Sequence, residues 1–204
     1  MNKRLLMILV VAVLYYAGGA LGLAVGGTPG HVSLFWPSAG IALTALLFWG
    51  NRVWPGVLVG SLLVNFTLGR FDLISALGIA IGHTAEALIA ARLMKKVARG
   101  SDVFNTAQDI FKFILIIVTS SMVSASITAV ALLTTSTWKL AHLPIGWSLA
   151  WLSSCASYLL VTPLLVVWVS RLQWKFDLKM TVELICLALL TVVSSQAVFQ
   201  GWLP

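Results

Sequence analysis

The chain has 204 residues, 60% of them hydrophobic and 9% charged, with a mean hydropathy of +1.01 and a formal net charge of +7. A soluble domain carries about 25% charged residues, so this composition excludes a water-covered globular protein and makes lipid the main solvent. Helices or a closed barrel are then the only backbones that satisfy their own polar groups, and apolar stretches of about 20 residues are helix length rather than barrel-strand length.

Seven spans are predicted, at 5–25, 34–50, 53–69, 72–94, 110–134, 145–170 and 181–199. The first follows Met1-Asn2-Lys3-Arg4, and Leu5 to Leu14 with Ala17-Gly18-Gly19-Ala20 behind it also has the form of a secretory signal. Six further spans in register favour its retention as a membrane helix. Trp36-Pro37-Ser38-Ala39-Gly40 opens the second span and Trp54-Pro55-Gly56 the third; Pro suits a first helical turn, where its missing N–H leaves no bond unmade. Each Trp is expected to anchor at headgroup depth. Small-residue pairs Gly18/Gly22, Gly56/Gly60 and Gly78/Gly82 predict close helix–helix contacts. Pro163 lies inside the sixth span and is expected to kink it, with Thr162 offering a hydroxyl to the freed backbone group. Cys155 and Cys186 fall in separate apolar spans and read as small buried side chains.

With these spans drawn, Lys3, Arg4, Arg52, Arg92, Lys95, Lys96, Arg99, Lys112, Arg171, Lys175 and Lys179 share one side, against Arg70 and Lys139 on the other. Cytoplasmic loops retain positive charge, so the crowded side is expected to be the cytoplasm, with the N-terminus inside and residue 204 outside. The net charge is therefore a topology signal, with some attraction to anionic headgroups, and does not indicate a nucleic-acid partner.

Glu86 is the acidic residue deep in a span. Ser75, Gly78, Gly82 and Glu86 fall within an arc of about 80° on a helical wheel, which directs Glu86 into the bundle. His83, three residues earlier, is close enough to interact with it. A buried intramembrane carboxylate marks a functional site by default; the plain alternative is a structural hydrogen-bonding residue. Ser121, Ser124 and Thr128 share a face of the fifth span, the sixth carries Ser148, Ser153, Ser154 and Ser157 beside Trp151 and Tyr158, and Asn65 and Ser61 lie on the third. These groups line a polar cavity or fill interhelical contacts. No nucleophile–base pair, phosphate loop, dinucleotide fingerprint or metal-ligand spacing is present, so neither catalysis nor a cofactor is expected.

Four segments carry a family resemblance, in order. Ser33-Leu34-Phe35-Trp36-Pro37-Ser38-Ala39-Gly40-Ile41-Ala42-Leu43 resembles the opening motif of the membrane-associated sensor domains of the first MASE type. Arg52-Val53-Trp54-Pro55-Gly56 is similar to that family's next turn, Gly82-His83-Thr84-Ala85-Glu86-Ala87 to its Gly-Asn-x-x-Glu-Ala helix, and Trp151-Leu152-Ser153-Ser154 with Leu160-Val161-Thr162-Pro163-Leu164 to its Trp-x-Gly-Asp…Pro-Leu segment. His83 stands where Asn is usual, Ser154 where an acid is usual and Ser157 where Gly is usual.

The resemblance implies a sensory input domain of a bacterial signalling protein, of the histidine kinase or cyclic-di-GMP type, with about eight spans and an output module. The expectation is an all-α polytopic transmembrane bundle of about seven spans, residues 1–204 forming one integral inner-membrane sensor domain that lacks a last span and its output. Glu86, His83, Asn65, Trp36, Trp151, Ser154 and Pro163 are the candidate ligand or signal-coupling residues. The expected partners are the lipid bilayer, a cytosolic output module or partner kinase, a small ligand, and a second copy in a homodimer. The rival readings are a substrate-binding subunit of a small-molecule transporter and a structural membrane protein that recruits another.

Overall fold

The computed structural model describes residues 2–26, 33, 35–98 and 100–170. These residues form six helices, α1 Lys3–Gly26, α2 Pro37–Trp49, α3 Trp54–Thr67, α4 Leu73–Val97, α5 Ala107–Thr134 and α6 Leu143–Ser170, with 3-10 turns at Asn51–Val53, Gly100–Asn105 and Leu140–His142. Four stretches, Lys3–Val25, Leu73–Val97, Ala107–Thr134 and Leu140–Val169, are long and apolar enough to cross a membrane. The expected seventh span at 181–199 lies outside the described residues, as do Arg99, Arg171, Lys175, Lys179 and Cys186.

Two of the long helices, α4 and α5, begin where the sequence supplies a side-chain cap. Asp72 accepts the amides of Ile74 and Ser75, both at 3.0 Å, at the start of α4. The Ser75 hydroxyl also donates to Asp72 at 2.6 Å, and that bond, with the Ser75 amide, holds the carboxyl below its ordinary value. Thr106 accepts the Asp109 amide at the start of α5 and donates its hydroxyl to the Asp109 carboxylate, which in turn pairs with Lys112 at 2.8 Å. Two partners so close in sequence satisfy amides that no preceding turn can reach.

The second and third helices are shorter than the spans drawn for them. With 13 and 14 residues, α2 and α3 are about 20 and 21 Å long, against about 30 Å for a hydrocarbon core. Pro37 sits in the first turn of α2, after the extended stretch Phe35–Trp36, and Gly50 ends α2 in a left-handed conformation (φ +77°). Pro55 opens α3 in the same manner. Neither helix by itself is therefore as long as a hydrocarbon core is thick.

The glycine pairs mark the contacts expected of them. A Cβ at Gly60 would lie 2.7 Å from the Ala12 carbonyl oxygen, and one at Gly56 would meet the Ile8 carbonyl, so α3 rests directly on the α1 backbone. Gly18 faces Ser38 and Ile41 of α2, and Gly22 faces the Phe35 carbonyl. Gly78 faces Ala131, and Gly82 faces Ser124 and Ile127, seating α4 on α5. Gly40 packs on Val161 and Ser157, joining α2 to α6. Apolar side chains including Val11, Leu43, Leu46, Val57, Val64 and Ile117 fill the shared core.

Pro163 lies inside α6, which continues through it. The Thr162 hydroxyl is buried without a hydrogen-bond partner, so the compensation expected from it is not made.

Candidate functional site

Ser33, Trp36 and Ser38 are each tied to α1 by a hydrogen bond. Ser33 donates to the Gly22 carbonyl at 2.8 Å, and Ser38 donates to the Tyr15 carbonyl at 2.6 Å. The Trp36 indole N–H donates to the Tyr15 hydroxyl at 3.2 Å. The Gly40 amide, near the start of α2, is satisfied by the Ser157 hydroxyl of α6 at 3.1 Å. Trp36 is 7% exposed. The interface anchor expected at this position is therefore a buried side chain, because the indole finds its hydrogen-bond partner inside the bundle. Trp54, 41% exposed, does lie at the surface.

His83 and Glu86 diverge. His83 Nδ1 lies 3.0 Å from the Tyr15 hydroxyl, and its ring is 5.8 Å from the Trp36 ring. It thus joins α1 and the α2 turn, and it is not the hydrogen-bond partner of Glu86 that the three-residue spacing suggested. Glu86, fully buried, faces α5 and α6 instead: Ser154 donates to its Oε2 at 3.4 Å. Ser121, Ser124 and Tyr158 also bring hydroxyls toward this carboxyl. Even so, Glu86 Oε1, Ser121 Oγ and Tyr158 OH are buried and close no hydrogen bond within the bundle. Unpaired buried oxygen is costly, and here several such atoms gather around one carboxyl.

A cavity of about 50 Å3 connects the two arrangements. Trp36, Asn65, His83, Ser124, Ser153 and Ser154 contribute its polar and aromatic lining. At 10–15 Å3 per water centre it holds roughly three to five waters, or a few non-hydrogen atoms of a ligand. Asn65 lines the cavity from α3 and is fixed by its own amide, which donates to the Ser61 carbonyl at 2.8 Å. The Ser153 hydroxyl is buried and unpaired. Four of the seven candidates, Trp36, Asn65, His83 and Ser154, thus line one cavity, and Glu86 stands behind it through Ser154.

Trp151 and Pro163 do not line it. Trp151 donates to the Val118 carbonyl of α5 at 3.0 Å and stacks on Trp147, whose own indole donates to Ser126 at 3.1 Å. Both indoles therefore fasten α6 to α5. Tyr15 is the residue that the sequence reading missed. A phenol within an apolar span was the available signal, since a buried Tyr hydroxyl normally has a partner; Tyr15 has two.

The fold and site define a membrane domain of packed helices with a small cavity beside the buried Trp36, apolar over most of its surface and carrying a few polar groups. The chain belongs to the MASE1 family, whose model matches residues 5–204. MASE1 domains are membrane-associated sensory input domains of signalling proteins. No curated protein and no solved structure matches the chain.

Proposed function

We propose that this chain is the multi-pass inner-membrane input domain of a bacterial signalling protein whose cytosolic output is a histidine kinase or a cyclic-di-GMP enzyme. The cavity receives a small polar ligand, and the Glu86 group converts occupancy into a change of packing between α4, α5 and α6. The carrying observation is the juxtaposition of a lined cavity with a buried carboxyl whose hydrogen bonding is incomplete. A donor entering beside Ser154 alters the balance of bonds on Glu86, and only a differential interaction of that kind can shift a helix-packing equilibrium. Catalysis belongs to the output module, and Glu86 titrates or exchanges bonds rather than reacting. The transporter reading is less favoured, because the cavity beside Glu86, at about 50 Å3, is well below the roughly 300 Å3 of an ordinary small-molecule pocket, and the family matched over residues 5–204 is one of sensory input domains.

The test fills the cavity. Ser153 lines it and its hydroxyl has no partner, so Ser153→Leu removes volume without breaking a bond. In the full signalling protein, output activity measured across growth conditions should lose its condition dependence while membrane abundance stays at the wild-type level. A normal response from a normally abundant Ser153→Leu protein would remove the cavity from the sensing pathway.

A further inference from the structure

A second groove lies at the opposite end of the bundle, where the chain gathers Arg4 from the start of α1, Arg52 from the turn before α3 and Arg92 from the end of α4. It is broad, about 630 Å3. All three guanidinium groups are exposed, and among the described residues no carboxylate pairs with them. Asn51 lines the same end, and its Oδ1 is buried without a partner. Trp54 stands beside them, 41% exposed, where an indole marks headgroup depth.

The rest of the groove is apolar apart from Thr84, whose hydroxyl donates to the Ala80 carbonyl at 2.7 Å. Leu58 of α3 and Ile81, Ala85 and Leu88 of α4 form its wall. From Arg92 to Ile81 is 11 residues along one helix, about 16 Å at 1.5 Å per residue, which is close to half of a hydrocarbon core of about 30 Å. A cationic mouth at headgroup depth thus continues into an apolar channel one leaflet deep. Three like charges in one groove repel unless an anion lies among them, and a soluble anion leaves the channel uncovered.

We propose that this groove binds an anionic glycerophospholipid, its phosphodiester held by Arg4, Arg52 and Arg92, and an acyl chain lying along Leu58, Ile81 and Leu88. Cationic pockets between membrane helices recognise anionic headgroups in this way. The site is separate from the cavity beside Trp36 and does not depend on the sensory reading.

The test is native mass spectrometry of the purified chain titrated with dioleoyl phosphatidylglycerol or dioleoyl phosphatidylcholine. Phosphatidylglycerol should be retained preferentially, and each Arg→Gln change should lower its retention about five-fold. Should the double variant R52Q/R92Q prove polydisperse, R4Q, in the exposed first turn of α1, carries the same expectation. Leu88→Ser should also reduce retention, which a site for the phosphate group alone does not require. Equal retention of the two lipids, or arginine variants that bind like the wild type, would overturn the proposal. Displacement of phosphatidylglycerol by millimolar sn-glycerol 3-phosphate would assign the groove to a soluble phosphate ester and overturn it equally.

Discussion

Tyr15 and Glu86 carry different kinds of polar work within the same apolar setting. The Tyr15 hydroxyl meets Trp36 Nε1 at 3.2 Å and His83 Nδ1 at 3.0 Å, so one oxygen joins α1, the α2 turn and α4. Tyr15→Phe leaves both ring nitrogens unpaired. Interhelical hydrogen bonds in membranes average about 0.6 kcal/mol, and a stranded buried group adds to that, so the expected destabilisation is about 1–2 kcal/mol. Thermal unfolding in detergent measures it, and a Tyr15→Phe/His83→Phe double-mutant cycle isolates the pair; strict additivity would mean that the 3.0 Å contact is energetically idle. Glu86→Gln is the contrasting change. It keeps the shape and an acceptor for Ser154 while removing the ability to ionise. The full signalling protein should insert and accumulate normally with its output locked, as read by output activity across growth conditions. An unchanged response would reduce Glu86 to a structural residue. Glu86 was legible as a buried site because Gly78 and Gly82 mark its face as packed. Its separation from His83 was not legible: a three-residue offset rotates a side chain by about 60° on a helix, and only the neighbours decide which groove each side chain enters.

At the scale of helices, the small residues determine which backbones touch. A Cβ at Gly60 would lie 2.7 Å from the Ala12 carbonyl and 2.8 Å from Tyr15 Cβ, whereas one at Gly82 would have Ser124 O at 3.2 Å and Ile127 Cβ at 3.3 Å. The first contact is against fixed backbone and the second needs a shift of a few tenths of an ångström. Gly60→Ala should therefore destabilise by about 1–3 kcal/mol, the range of an overpacked core, and Gly82→Ala by less. Melting midpoints of the two variants check the order, and the reverse order would mean that α1 and α3 are not locked together as the contacts indicate. These contacts were legible because glycine spacing of four is a packing signal. The lengths of α2 and α3 were not. Hydropathy continues through Phe35–Trp36 and through Leu68–Gly69, whereas helical backbone does not: Pro37 opens α2, and α3 ends at Thr67. The cavity was legible as a set of hydroxyls and Asn65. Its boundary depended on Trp36 turning inward to Tyr15, and aromatic preference for the interface argued the other way.

For the whole molecule, the helices sort their cations to the two ends. Arg4, Arg52 and Arg92 line a single groove although they are far apart in sequence. Lys95 adds to that end by donating to the Leu46 carbonyl of α2 at 2.6 Å, where the last turn of a helix presents unpaired oxygens. Arg70 follows α3 and Lys139 precedes α6, at the other end. Retention of positive loops in the cytoplasm is the ground on which we propose that α1 begins inside. The orientation is testable with single cysteines in a background where Cys155 and Cys186 are replaced by Ser. Ser136→Cys, in the turn after α5, should react with a membrane-impermeant maleimide on intact spheroplasts. Asp102→Cys, in the turn before α5, should react only after permeabilisation. Both positions are exposed, so access rather than burial governs the labelling. The reverse pattern would invert the domain, place the arginine groove in the outer leaflet, and leave a cytosolic output module facing the Arg70 end. Labelling of both sites on intact spheroplasts would show that α5 does not cross the membrane, although its length and composition allow it.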